Sequence, residues 1–138
     1  MVSQQVFLFQ GTIMENIKMY DEGITDEQVM EVARQTQLDK FISSIPDGYE
    51  FMVQENGGNL SGGQKQLISI VRALVRKSIK IIIFDEATSA LYIDIEKNLC
   101  NNIDVICKEK TFISITHRKS FLEMTERMIQ FEEGKVIS

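Results

Sequence analysis

The 138 residues contain no stretch able to cross a membrane as a helix. The most apolar run, Ile81 to Phe84, falls far short of the roughly 20 residues such a helix needs. No basic segment followed by an apolar one opens the chain, so no secretory signal is read there, and the chain itself is expected in the cytosol. Lysine and arginine never cluster beyond a pair, and the net charge is -5 with a pI of about 4.9. The basic footprint that grips phosphodiester backbones is therefore missing, and no nucleic acid is expected as a partner. Cysteine is scarce. Cys100 and Cys107 lie seven apart in a segment that reads as helix, hence about 10 Å apart at ~1.5 Å rise per residue. A disulfide does not span that distance, and the spacing matches no zinc pattern, so two free thiols in a reducing compartment are expected. Internal repeats, low-complexity tracts and linkers rich in proline or glycine are also absent, which leaves one domain.

What is present is ordinary for a globular protein. Apolar residues make up 43% and charged ones 25%, a balance unlike that of disordered or fibrous chains. A chain of this size buries roughly two-thirds of the surface it exposes when unfolded, so it can hold a core. Val2 to Phe9 reads as the end of a strand followed by a loop. Thr25 and Gln28 have the spacing of a capping box, and Val29, Val32 and Ala33 then recur at helical intervals up to Leu38. A short helix is expected from Asp39 to Ile45, stopped by Pro46, Asp47 and Gly48. After a glycine-rich stretch from Gly57 to Gly63, the apolar residues Leu67, Ile70, Val71, Leu74 and Val75 share one helical face. A strand over residues 79–84 ends in Asp85 and Glu86, and its apolar run suggests a parallel strand buried on both faces. A helix from Ile93 to Cys107, a strand from Thr111 to Ile115, a short helix, a strand near Met128 to Phe131, a turn at Glu133 and Gly134 and a last strand at Val136 complete the pattern. Strands alternating with helices predict an α/β layered domain.

Three places carry chemistry. Ser61 and Gln64 have the S-x-x-Q spacing that satisfies free amides at a helix start, and the same geometry binds anions. Glycines let backbone N–H groups approach an oxygen, and the positive end of the helix dipole favours phosphate. Asp85 stands at the carboxyl end of a parallel strand, where open α/β sheets bind ligands, and its oxygens suit magnesium. His117, the single histidine, follows the strand Thr111 to Thr116, which delivers it to the same sheet edge as Asp85.

Leu60-Ser61-Gly62-Gly63-Gln64, continued by Lys65-Gln66 and Arg72-Ala73-Leu74, resembles the signature motif of ABC ATPases. Ile81 to Glu86, followed by Ala87-Thr88-Ser89-Ala90-Leu91, resembles the Walker B strand of that family. Val2-Ser3-Gln4-Gln5, with Phe7-Leu8-Phe9 and Gly11-Thr12-Ile13 to Glu15-Asn16-Ile17, resembles the Q-loop of its exporters. Glu55 to Gly58 resembles the exporter segment that meets coupling helices.

The resemblance covers the whole chain. It implies a P-loop NTPase (RecA-like) parallel-sheet core, incomplete, with an inserted α-helical subdomain. Residues 1–17 would form the Q-loop region, 76–138 the core subdomain and 18–75 the helical subdomain. It further implies ATP and Mg2+ as ligands, Asp85 and Gln4 on the metal, Glu86 as general base and His117 as the switch histidine at the terminal phosphate. Ser61, Gly62, Gly63 and Gln64 would contact an ATP held by a second ABC ATP-binding domain, so a dimer is implied. The remaining implied partners are the transmembrane domains of an exporter at the cytoplasmic face of the cell membrane, moving a peptide, lipid or drug-like cargo.

The sequence departs from the family at three points. The phosphate-binding pattern G-x-x-x-x-G-K-S/T is missing, because the Gly134-Lys135 pair is followed by Val136. Tyr92 stands where the family has an aspartate that contributes to contact between the two ATP sites. Leu67 stands where an arginine is common. Two functions follow as expectations. One is the nucleotide-binding portion of an ABC exporter, an ATPase in its full-length context and inactive as an isolated chain. The other is a truncated, non-catalytic copy that partners a complete ABC ATPase domain.

Overall fold

The computed structural model describes residues 1–138, and its element order follows local signals in the chain. Strand β1 (Val2–Ser3) leads through a loop to β2 (Gly11–Thr12) and α1 (Ile13–Lys18). Helix α1 is absent from the sequence reading, yet its signal was present. Thr12 Oγ1 accepts the Glu15 N–H at 3.0 Å while Glu15 Oε2 accepts the Thr12 N–H at 2.7 Å, a reciprocal capping box. Thr25 and Gln28 start α2 (Asp26–Gln35) in the same way, as their spacing predicts. Helix α3 (Leu38–Ser44) follows, and β3 (Met52–Val53) pairs antiparallel with β2. Helix α4 (Gly62–Leu74) buries Leu67, Ile70, Val71 and Leu74 of the apolar stripe that its periodicity implies, with Val75 just past its end, and Ile68 is buried as well.

The remaining elements are β4 (Ile81–Asp85), α5 (Ile93–Ile106), β5 (Thr111–Ile115), α6 (Lys119–Met124), β6 (Phe131–Glu132) and β7 (Lys135–Val136). Strands β1, β4 and β5 form one parallel sheet in that order. Val2 stands opposite Phe84, and Ile81 to Asp85 stand opposite Thr111 to Ile115. The fold is thus α/β around a parallel sheet, with α1 to α4 entering between the first two sheet strands. The strand expected near Met128 to Phe131 forms only at Phe131–Glu132, and it pairs with β7 in a separate hairpin rather than with the main sheet.

One apolar cluster of 26 buried residues joins the sheet to the helices, so there is a single core. On the covered face of the sheet, the Phe84 and Phe112 rings meet edge to face at 5.0 Å, and Phe121 of α6 lies 6.1 Å from Phe112. The expectation of a strand buried on both faces is not met. Ile82 and Phe84 are buried, but Ile81, Ile113 and Ile115 are 57%, 44% and 55% exposed. Nothing in the chain covers that second face.

Helix α4 is fixed to the N-terminal segment by arginine rather than by packing alone. Arg72 donates from Nη1 to the Phe7 carbonyl at 2.9 Å and from Nε to the Asn16 carbonyl at 2.8 Å. Its Nη2 donates to Asn16 Oδ1 at 3.1 Å. Burial, and then the neighbouring Arg76, push its guanidinium pKa down, although a group of this basicity stays protonated. Asn16, fully buried, returns two donated bonds, to the carbonyls of Phe9 at 2.9 Å and Thr12 at 3.1 Å. The stretch after Gln5 is therefore stitched to the last turn of α4.

Candidate functional site

The sheet brings three chain segments to one edge, at the carboxyl ends of β1, β4 and β5. Asp85 closes β4 with Ser3 of β1 on one side and Ile115 of β5 on the other. It is half-buried, and its carboxylate makes no hydrogen bond within the chain. Glu86 follows, and its N–H donates to the Ile115 carbonyl at 2.9 Å, extending the β4 to β5 ladder by one step. Its backbone lies in the left-handed region at φ 48, where a non-glycine residue stores strain. That turn carries the Glu86 side chain to His117, whose Nδ1 lies 2.9 Å from Glu86 Oε1. An ionised carboxylate only accepts, so Nδ1 carries the shared proton. The imidazole is otherwise open to solvent at 83% exposure, while Glu86 is 26% exposed. A carboxylate oriented by an imidazole and still reached by water is able to activate that water.

The second part of the site is the start of α4. Ser61 Oγ accepts the Gln64 N–H at 3.2 Å, and Gln64 Oε1 accepts the Ser61 N–H at 2.8 Å. These bonds are the capping arrangement that the spacing allows, and they leave the N–H groups of Gly62 and Gly63 free at the positive end of a 13-residue helix. Gly63 is required for a steric reason as well. A Cβ there would sit 2.9 Å from the Ala90 carbonyl oxygen, so a side chain would push α4 away from the loop that follows Glu86.

That loop is also held by side chains the sequence reading did not single out as functional. Gln66, buried on the first turns of α4, donates from Nε2 to Ser89 Oγ at 3.0 Å and accepts the Ala90 N–H at 2.9 Å. Arg118 donates to the Ser89 carbonyl at 2.8 Å. These partners stand more than 20 residues apart in sequence, so no short spacing betrays them. Gln66 was visible only as an extension of the glycine motif.

Gln4 lies just past β1 and is exposed. It lines a cavity of about 410 Å³ with Gly62, Lys65, Gln66, Ser89 and Ala90, and it makes no hydrogen bond to Asp85, Glu86 or His117. The structure thus pairs Glu86 with His117, and Gln4 with the start of α4. Asp85 is one residue from Glu86 and stands alone. No group of three or more His, Cys, Asp or Glu residues is gathered to hold a metal. A hard cation here would therefore need oxygen donors beyond those of the chain, which suits magnesium, commonly shared with phosphates and water. Burial pushes the thiols of Cys100 and Cys107 up to about 11, so neither offers a thiolate at neutral pH.

Comparison with known proteins agrees across sequence and structure. The family model described as "ABC transporter" matches residues 1–89. The ATP-dependent lipid A-core flippase of Vibrio cholerae is 41% identical over 138 residues, covering 99% of this chain and 24% of its own length. The alpha-hemolysin translocation ATP-binding protein HlyB of Escherichia coli is 42% identical over 136 residues, covering 99% of this chain and 19% of its own. Among solved structures, a bacterial Atm1-family ABC exporter with ATP bound superposes with a TM-score of 0.88 at 34% identity, over 99% of this chain and 24% of that one. The chain spans about a quarter or less of the length of these relatives. No helix of the chain is long and apolar enough to cross a membrane.

Proposed function

Because the chain belongs to the ABC transporter family, we propose that it forms the hydrolytic and signature part of an exporter's nucleotide-binding domain. Its role there is to couple ATP binding and hydrolysis at a domain dimer interface to movement of a cargo by membrane-spanning partners. The observation that carries this reading is the Glu86 to His117 contact at the sheet edge. In this assignment Glu86 takes a proton from the attacking water, and His117 holds the carboxylate in place and faces the terminal phosphate. Ser61, Gly62, Gly63 and Gln64 present amides and a hydroxyl to the nucleotide of a second domain. Asp85 and Gln4 supply oxygens to Mg2+, which when bound neutralises charge on the phosphates. Residues 1–17 and 76–138 are assigned to the core subdomain with its Q-loop, and 18–75 to the helical one.

The 138 residues hold no G-x-x-x-x-G-K-S/T loop, the element whose amides and lysine cradle phosphates in this class. The chain by itself is therefore expected to show no micromolar, magnesium-dependent binding of a fluorescent ATP analogue. The decisive experiment places the chain in a complete ATPase domain, replacing the matching segment of the lipid A-core flippase. We expect the chimera to hydrolyse ATP, and Glu86→Gln to lower turnover about 100-fold or more while ATP is still bound, because an amide keeps the shape and not the basicity. A Glu86→Gln chimera as fast as its parent removes Glu86 from the role of base. A folded chimera that binds ATP without hydrolysing it would favour the non-catalytic partner instead.

A further inference from the structure

Glu96 is among the most buried side chains of the molecule, 1% exposed, and the hydrolytic reading gives it no role. A carboxylate removed from water needs compensation. Glu96 stands in the first turn of α5. Its Oε1 accepts from the hydroxyl of Ser120 on α6, and its Oε2 lies 2.9 Å from Arg118 Nη1. That second contact is not aligned as a hydrogen bond, so charge attraction holds it. Arg118 lies in the turn that presents His117, and Ser120 lies in the first turn of the helix that the turn leads into. Arg118 follows the histidine directly, and its backbone N–H is fixed to Thr116 Oγ at 3.0 Å, so the turn is pinned on either side of the imidazole.

The other arm of Arg118 reaches the Ser89 carbonyl, and Ser89 and Ala90 are gripped by Gln66 of α4. An unbroken series of polar contacts thus runs from the first turns of α4, through the loop after Glu86, to Arg118, Glu96 and Ser120. The Glu96 carboxylate is buried while Arg118 is 27% exposed, and an ion pair with a buried member returns about what its desolvation costs, so stability alone does not favour it over apolar residues of similar volume. It does supply direction, because a planar guanidinium with one arm on a carboxylate and one on a carbonyl has few orientations open to it.

We propose that Glu96 is a positioning residue: through Arg118 and Ser120 it holds the His117 turn against Glu86 and ties that turn, by way of Ser89 and Gln66, to the start of α4. The distance between Glu86 and His117 then depends on where α4 sits. This proposal rests on the hydrolytic reading of that pair, and its test needs no nucleotide. His117 is the single histidine, so nitrogen-resolved NMR of its imidazole gives one unambiguous signal. In the 138-residue chain, at a pH where the ring is neutral, the proton should reside on Nδ1, facing Glu86.

Glu96→Gln, which keeps the shape and removes the charge, should abolish that tautomer preference while the chain stays folded. Should Glu96→Gln fail to fold, the double variant Glu96→Met with Arg118→Met leaves no orphaned charge, and it should lose the preference likewise. A folded variant with the parent's His117 signal overturns the proposal. Unfolding of both variants also overturns it, by assigning Glu96 to stability alone. A parent with no Nδ1 preference ends the idea at the outset. None of these results bears on whether the Glu86→Gln chimera hydrolyses ATP, so the two readings fail separately.

Discussion

Glu86 shows how a single residue can be held in a conformation that its own type disfavours. Its left-handed backbone, at φ 48, costs about 1–2 kcal/mol for a side chain with a Cβ. The N–H bond to Ile115 and the side-chain bond to His117 offset that strain. Glycine adopts this conformation freely, although it loses roughly 0.5–1 kcal/mol more chain entropy on folding. Glu86→Gly should accordingly leave stability unchanged or raise it by up to about 1 kcal/mol while deleting the carboxylate. Urea unfolding of the two proteins measures this, and a loss above about 1 kcal/mol would mean that the side-chain contact with His117 outweighs the strain. The sequence made Glu86 visible through its position after an apolar strand. It could not reveal the left-handed turn, which arises from the ladder to β5 and not from the residues beside it.

Among the elements, the helix starts were the most legible features, because a capping box is written within four residues. Thr25 with Gln28 and Ser61 with Gln64 both form as their spacing predicts, and Thr12 with Glu15 obeys the same rule where it went unread. The ties between elements were not legible. Arg72 and Asn16 stand 56 residues apart, and nothing in either neighbourhood marks them as partners. Asn16 is fully satisfied, with Nδ2 donating to two carbonyls and Oδ1 accepting from the Phe9 N–H at 3.1 Å and from Arg72. Replacing it with Leu, of similar volume, takes a partner from four partly buried polar groups: the Phe9 N–H and carbonyl, the Thr12 carbonyl and one arm of Arg72. Each orphan costs about 1–3 kcal/mol where it cannot reach water, and partial relaxation makes roughly 2–4 kcal/mol in all a fair expectation. The Phe9 amide should also lose its protection from hydrogen exchange. A loss below about 1 kcal/mol with Phe9 still protected would show that α4 is held to the N-terminal segment by packing, and that the polar clamp is incidental.

The whole molecule is shaped by a sheet with one open side. Strand β5 has β4 as its only neighbour, and beside it the face bearing Ile81, Ile113 and Ile115 is uncovered. The Thr111 N–H donates to Lys80, so by alternation along the strand the N–H groups of Ile113 and Ile115 also turn toward β4. Those of Phe112 and Ser114 then point outward, unpaired. A free edge next to exposed isoleucines is a template for adding a strand from another chain. The chain is therefore expected to self-associate as its concentration rises, seen in sedimentation velocity, and to be only marginally stable as a monomer. Hydrogen exchange should resolve the cause. In the dilute monomer, Phe112 and Ser114 should exchange rapidly beside slower Ile113 and Ile115, with the strongest protection in α4 and β4. On association the Phe112 and Ser114 amides should become protected, and lysine placed at Ile113 should suppress both the association and that protection. A chain that stays monomeric at high concentration, or one that associates while Phe112 and Ser114 still exchange rapidly, would show that the open edge of β5 is not where the molecule joins another.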